Sequence, residues 1–450
     1  MPTASEDFKI GLYREHLEEA SALYDLRHAL LVEPDREWRS LHDFEERLEA
    51  HLDALVIGGA LALQVCAERM REGDAGELFA SVCVCCRQKD RALFGTVWRD
   101  FDASDPEKAR AVTEALRFEF PDEWAGAAEQ AITRADPHRL SMLAALAAHR
   151  RLPLGTPLAA RLNQDEAVAS ASVQALGFMP GAETAALLRK CLGSTEAGVR
   201  AAALRGLLLQ GDEQSLRQCY LHAQAEDWPH VAMGLGGDRQ AAAILRQEIE
   251  GGRATRNTIV ALGLLGDLST VRALTTVLSS EELGGVAADA LHWITGAALY
   301  EDVFIPEPVD ESELFERERE VWLETGEPPR RLDGRPFGSE VHRLSRDQAA
   351  WHQWLSGHAA EFDRDVRYRR GQPYSPRQLL DCLILPVAAL EWRQLAYQEL
   401  VIRYGCTAPF DAENYVVDQL ARLRQIAGWV RDNEARFEAS RGAFHLMAAR

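Results

Sequence analysis

Leucines recur at nearly constant spacing through the middle of this chain. Short segments such as ALRFEF, ALGFMP and ALGLLG align on their second letter. The aligned leucines lie 27 to 31 residues apart, and they are Leu116, Leu146, Leu176, Leu207, Leu235, Leu262 and Leu291. A repeat of this length is typical of stacked helical hairpins, because a single hairpin cannot bury its own apolar face. The spacing therefore predicts a helical array.

Each repeat has the composition of two helices joined by a tight turn. The first half is rich in alanine, as at residues 201–203, and such small side chains let neighbouring helices approach closely. The second half often begins after a Gly-Asp pair, in which glycine can end one helix and aspartate can cap the next. These pairs are Gly211-Asp212, Gly237-Asp238 and Gly266-Asp267. We expect an all-α fold in which the hairpins form an α-solenoid.

The repeats divide the chain into four predicted parts. A helical amino-terminal region, residues 1–74, leads into the solenoid of residues 75–298. Residues 299–345 are predicted to be a linker that is acidic at first and basic afterwards. Residues 346–450 are predicted to form a smaller helical domain. Its helices are expected at 346–363, 375–404 and 411–439.

Charge and composition exclude several classes of function. A net charge of −20 repels phosphate backbones, so we expect no nucleic acid as partner. The longest apolar stretch, residues 54–67, is too short to cross a bilayer. The first residues, MPTASEDFKI, are acidic where a signal peptide requires positive charge. We therefore expect a cytoplasmic protein whose eight cysteines are reduced thiols.

No motif in the sequence supports catalysis or cofactor binding. Cys83, Cys85 and Cys86 lie close together, but a zinc site needs a second pair of ligands, and we expect these thiols to be buried in a core. GLGGD at residues 234–238 lacks the preceding strand of a nucleotide-binding loop and falls on a repeat turn. We assign no catalytic residue, no metal ligand, no cofactor-binding residue and no cofactor.

Arginines cluster after the acidic part of the predicted linker. Guanidinium groups pair bidentately with carboxylates and are common at protein interfaces. The alternative is that these side chains pair with the acidic segment of the same chain. The candidate partner-binding residues are Arg330, Arg331, Arg335, Arg343, Arg346, Arg367, Arg369 and Arg370.

Several segments resemble known families. VRAAALRGL at residues 199–207 resembles the first helix of a HEAT-type repeat. EHLEEASALYDLRHALL at residues 15–31 and LHDFEERLEAHLDALVIGGALAL at residues 41–63 resemble the amino end of an uncharacterised bacterial HEAT-like repeat family, often encoded near type VI secretion genes. WHQWLSGHAAEF at residues 351–362 and RYRRGQPYSPRQLLDCL at residues 367–383 resemble its closing pattern. The resemblance implies HEAT-like hairpins and an accessory role in secretion, without an established activity.

The function that we expect is a non-catalytic protein-binding scaffold, because a solenoid exposes a long surface to a partner. The resemblance implies an effector-loading adaptor or chaperone whose partner is a secreted effector or a spike component. One alternative is an immunity protein that neutralises a cognate toxin. Another is a lyase-like enzyme on a HEAT-like array, which would require a concave pocket with convergent polar groups. The identity of the partner, the binding face and the oligomeric state stay open.

Overall fold

The structure, a computed structural model, confirms the predicted all-α fold. It describes residues 4–33, 36–162, 166–307, 314–327, 329–330 and 334–444. In these residues, helices are joined by short turns, and two sheets of two strands each accompany them. The amino-terminal region is helical, as predicted, and its helices are α1 (Ala4–Leu31), α2 (His42–Ile57) and α3 (Gly59–Glu72).

Fifteen helices follow in the described residues between positions 75 and 295. They are α4 (Ala75–Arg87), α5 (Arg91–Asp100), α6 (Pro106–Glu119), α7 (Ala125–Arg134), α8 (Pro137–Arg150), α9 (Gly155–Ala159), α10 (Glu166–Gly177), α11 (Ala182–Cys191), α12 (Ala197–Leu209), α13 (Glu213–Cys219), α14 (His230–Gly236), α15 (Arg239–Glu250), α16 (Arg256–Leu265), α17 (Val271–Val277) and α18 (Gly284–Thr295). Short 3₁₀ turns lie at Trp38–Leu41, Asp122–Trp124 and Leu268–Thr270.

The even-numbered helices of this stretch form one continuous row. Each even-numbered helix from α4 to α16 packs against the next even-numbered helix. Each odd-numbered helix packs against an even-numbered neighbour. The seven aligned leucines occupy successive helices of the row, and each is at most 1% exposed. Every repeat therefore inserts its leucine between two neighbouring helices, and the predicted stack of hairpins is confirmed.

The predicted Gly-Asp turns are confirmed in their capping chemistry. Asp212 accepts a hydrogen bond from the backbone N–H of Ser215 at 3.1 Å, and Asp238 accepts one from the N–H of Gln240 at 3.0 Å. Asp267 caps the following 3₁₀ turn in the same way. Two of the three glycines, at positions 211 and 266, have φ of 85° and 63°, the left-handed conformation that glycine adopts without strain. The third has an extended backbone.

Residues 299–345, predicted to be a linker, contain a β-hairpin. Strands β1 (Tyr300–Pro306) and β2 (Gly338–Leu344) pair antiparallel, and α19 (Glu316–Thr325) lies between them in the chain. Glu301 lies opposite Arg343 across the ladder. Opposite charges on facing strand positions stabilise the pairing, so the acidic part folds back on the basic part.

The carboxyl-terminal segment is helical, as predicted, and packs onto the repeats. Its helices are α20 (Gln348–Gly357), α21 (Pro376–Ile384), α22 (Leu390–Tyr404) and α23 (Val416–Phe437), with 3₁₀ turns at Ala359–Glu361 and Glu438–Ser440. Strands β3 (Tyr368–Arg369) and β4 (Gln372–Pro373) form a small hairpin before α21. Helix α22 packs against α12 and α14.

One hydrophobic core joins this segment to the repeats. Trp392 of α22 stacks near Trp293 of α18, with ring centroids 5.1 Å apart, and its ring also lies against Gly263 of α16. Side chains from residues 30–41, 204–297 and 351–437 belong to the same buried cluster. Residues 346–444 therefore share their core with the helical array that precedes them.

Polar contacts connect the two ends of the described chain. The indole N–H of Trp38 donates to the carbonyl of Leu385 at 2.8 Å, and Arg27 donates to the carbonyl of Glu413 at 2.8 Å. The carboxylate of Glu45 accepts from the backbone N–H of Val416 at 2.7 Å. The carboxyl-terminal segment thus spans from the amino-terminal helices to the last repeats.

A test of length and hydropathy finds no single helix, within the described ranges, that could cross a membrane. One bent pair of helical segments, Trp38–Ile57 and Gly59–Glu72, passes that test jointly, with 114° between them.

Candidate functional site

The candidate arginines do not form one exposed face. Arg367 and Arg369 are 0% exposed, so their assignment to a partner-binding surface is wrong. Arg331 lies outside the described residues. The other five are exposed or half-buried, and they are Arg330, Arg335, Arg343, Arg346 and Arg370.

Contacts within the chain involve several of these side chains. Arg343 donates from Nε to Glu301 at 3.0 Å, across the β1–β2 ladder. Arg346 donates to the carbonyl of Glu281 at 3.4 Å. The alternative of pairing with the acidic segment is therefore confirmed for Arg343.

Arg367 and Arg369 are buried because an acidic residue of α22 lies between them. Arg367 Nη2 donates to Glu399 Oε1 at 2.7 Å, and Arg369 Nη2 donates to Glu399 Oε2 at 2.7 Å. Burial and the nearby charge of Arg403 lower the pKa of Arg367 to about 10. Arg367 therefore stays charged at neutral pH, and the ion pairs of Arg367 and Arg369 with Glu399 attach the β3–β4 hairpin to α22.

The β1–β2 hairpin and α19 carry several exposed large apolar side chains. Residues 300–307, 314–327, 329–330 and 334–344 are here called the arm. Helix α19 has no buried residue, and Phe315 at its start is 78% exposed. Val321 and Leu323 are also exposed. Exposed apolar patches of this kind are typical of interaction surfaces.

A shallow groove of about 740 Å³ lies along one face of α19. Phe315, Val321 and Trp322 supply its apolar lining, and Arg330 lies at its border. The helix itself carries four glutamates and two arginines. The groove lining itself includes Arg317, Glu318, Glu327 and Arg330, so the groove combines apolar side chains with charges of both signs.

A second cleft, of about 790 Å³, lies between the repeat helices and α22. Its floor is made of small residues of α12, and its polar lining includes Arg205, Glu391, Asp411 and Glu413. The three carboxylates named here have ion-pair partners, because Glu391 pairs with Arg256 while Asp411 and Glu413 pair with Arg117. These ion pairs join α22 and the loop before α23 to the repeat helices.

The pKa of the Asp411 carboxyl group in this cleft is strongly lowered. Burial opposes its ionisation, but a hydrogen bond from His149 and the charge of Arg117 outweigh burial and hold its pKa at about 2. Arg117 Nη2 lies 2.6 Å from Asp411 Oδ2. A carboxylate held in this way serves as a fixed negative charge rather than a proton donor.

The cysteine cluster lies in the core, as predicted. Cys83, Cys85 and Cys86 are buried in α4, and burial raises the pKa of each thiol. A thiol that resists ionisation is a weak nucleophile and a weak metal ligand. In the part of the chain that the structure describes, no three His, Cys, Asp or Glu side chains are grouped as metal ligands would be.

The loop at residues 234–238 ends α14 and caps α15, so the prediction that it is a repeat turn is confirmed.

Comparison with protein-family models finds no match to this chain, and a search of curated proteins finds no similar sequence. The resemblance to the secretion-associated family stays a prediction.

The arm is the surface that the sequence-based reasoning missed. The sequence does contain large apolar residues that could have indicated this surface, since Phe315, Val321 and Leu323 lie within an otherwise acidic stretch. A run of charge conceals such positions, because composition alone indicates a solvated linker.

Proposed function

We propose that this chain is a non-catalytic protein-binding scaffold that docks a partner protein through the arm. The observation that carries the proposal is the exposed apolar face of α19, with Phe315 and Val321 in a groove that glutamates and arginines border. The proposed partner is a protein surface that presents apolar side chains flanked by charged side chains of both signs, because such a surface complements both the apolar lining and the mixed charges of the groove.

The repeats and the carboxyl-terminal segment have a supporting role in this proposal. Helix α22 packs against α12 and α14, so part of the repeat surface that a solenoid offers to partners is covered by the chain itself. Binding is therefore assigned to the arm. The resemblance described above supports a setting in type VI secretion, with the chain as an adaptor or chaperone for an effector or a spike component.

The test compares two variants of the full chain in affinity capture from cells that carry its gene. Phe315→Asp combined with Val321→Gln removes the apolar groove, and aspartate is favoured at a helix N-cap, so α19 should persist. We expect capture of the specific partner to fall at least about tenfold, as for a residue at the centre of an interface.

Leu221→Asp is the matched control, because Leu221 is 88% exposed and lies outside the arm. This variant should capture the partner as the unmodified chain does. Equal recovery with the arm variant would contradict the proposal. The identity of the captured protein separates an adaptor, which binds an effector or spike component, from an immunity protein, which binds a toxin.

A further inference from the structure

Three arginines converge on one point inside the protein. Arg367 and Arg369 come from the β3 hairpin and Arg403 from α22, and each is at most 1% exposed. Their guanidinium carbons lie 3.5, 5.5 and 5.8 Å from the ring centroid of Tyr374. Glu399 is the carboxylate that they share, with nitrogen–oxygen distances of 2.7, 2.7 and 4.0 Å.

The ends of two repeat helices supply part of the balancing charge. Arg367 and Arg369 donate to the carbonyl of Leu264, in the last turn of α16, at 2.6 and 2.7 Å. Arg403 donates to the carbonyl of Gly237, just after α14, at 2.9 Å. A helix carboxyl end carries roughly half a negative charge. The arginines thus cap these helices and join the carboxyl-terminal segment to the repeats.

The positive charge still exceeds the negative charge. Among the described residues, three guanidinium groups face one carboxylate and two helix ends, which leaves roughly one positive charge without compensation in a buried site. The hydroxyl of Tyr374 is neutral and donates its hydrogen to Glu399 at 2.8 Å. Arginine does not lose its proton in proteins, so the imbalance cannot be relieved by deprotonation.

Several hydrogen-bond donors of the same groups are also unpaired. Nε and Nη1 of Arg367, Nε and Nη1 of Arg369, and Nε of Arg403 are buried and have no hydrogen-bond partner among the described residues. A buried donor without an acceptor destabilises a fold. Water could accept such bonds, but it would leave the charge imbalance unchanged.

We propose that Arg367, Arg369 and Arg403 hold a small inorganic anion beside Glu399. Such an anion accepts hydrogen bonds from unpaired N–H groups and supplies the missing negative charge. Because all three side chains are enclosed, the proposed ligand is an inorganic ion of a few atoms, such as a halide or phosphate. The bound anion stabilises the junction between the repeats and the carboxyl-terminal segment.

The direct test uses the unmodified full chain. Crystals grown with sodium bromide are measured at the bromine absorption edge, and we expect an anomalous peak in contact with the guanidinium groups of Arg367, Arg369 and Arg403. A parallel data set with phosphate distinguishes an oxyanion from a halide. A site that contains water alone under both conditions would overturn the proposal.

Thermal unfolding provides a second test in solution. At constant ionic strength, balanced with a bulky organic sulfonate, added chloride or phosphate should raise the melting temperature by several degrees and then saturate, as expected for a ligand that binds only the folded state. Arg403→Gln should abolish this rise, and Arg377→Gln, an exposed arginine on α21, should retain it. A rise that both variants share would contradict a specific site. If Arg403→Gln does not fold, the diffraction experiment decides.

Discussion

At the scale of single residues, the position of Asp289 opposes the ionisation of its carboxyl group. Burial in α18 raises its pKa to about 6, the attraction of Arg256 opposes this rise, and repulsion by Glu391 adds to it. The folded protein therefore favours the protonated form more than the unfolded chain does. Stability that depends on this proton is present at low pH and is lost as the pH rises from about 4 through about 6.

Asp289→Asn should stabilise the protein at neutral pH, because the amide is neutral at every pH and can still accept a hydrogen bond from Trp392. From the shift of the pKa, we expect the free energy of unfolding to increase by about 2–3 kcal/mol at pH 8 and by much less at pH 4. Thermal unfolding of both proteins across this pH range measures the difference. Asp432→Asn, on the exposed surface of α23, is the control and should change stability little. A gain that is independent of pH would contradict the assignment.

Arg367 and Arg369 show that residue type alone can predict exposure wrongly. RYRRGQPY at residues 367–374 is typical of an exposed basic turn, since buried arginine is rare without a partner. The partner is Glu399, about thirty residues later, on a helix that the sequence does predict. Local composition carries no information about such a pairing, because it depends on how α22 packs onto the repeats.

At the scale of elements, the repeat helices approach one another through glycine. A Cβ atom added at Gly206 of α12 would lie 2.8 Å from the Cα atom of Gly177 in α10, and the reverse distance is the same. The two backbones therefore touch at this crossing. The expectation that small residues permit close packing is confirmed here, although the residue is glycine rather than alanine.

Gly206→Ala should force α10 and α12 apart and destabilise the protein by about 1–3 kcal/mol, as overpacking in a core does. Gly126→Ala in α7 is the matched control, because a Cβ atom there meets nothing within 4 Å. Alanine favours the helix at that open position, so we expect a gain of about 0.5–1 kcal/mol. Urea unfolding measures both changes. Equal effects of the two substitutions would contradict a close helix crossing.

Periodicity predicted the repeat helices well because their apolar positions recur locally. All seven aligned leucines lie in the core. Ser375 caps α21 with Pro376 in its first turn, and both are residue types that favour the start of a helix. The β1–β2 hairpin was missed because its strands are separated by more than thirty residues. Pairing at that distance is determined by tertiary contacts, and the acidic composition of residues 299–327 favours a linker.

At the scale of the whole molecule, the carboxyl-terminal segment connects distant repeats. Long repeat arrays often lose cooperativity, because each unit contacts only its neighbours. Here the loop before α23 contacts α6 and α8 through Asp411, while α22 packs against α14. Residues that are far apart in the stack are thus joined by one segment.

We therefore expect the full chain to unfold in a single transition in urea. Tryptophans lie in the repeats and in the carboxyl-terminal segment, so fluorescence monitors both regions while circular dichroism monitors the helices. Coincident curves from the two probes indicate one cooperative unit. Two separated transitions would show that residues 346–450 fold as an independent domain, as the sequence alone suggests.

Asp411→Asn tests the contact that connects the two regions. The pKa of Asp411 is held at about 2, so the stability it contributes is present above about pH 4 and is lost as the pH falls toward 2. The substitution should lower the free energy of unfolding by about 2 kcal/mol at pH 7 and by progressively less below pH 4. If the contact couples the regions, both probes should shift together. A shift confined to one probe would mean that Asp411 stabilises its own segment and does not connect it to the repeats.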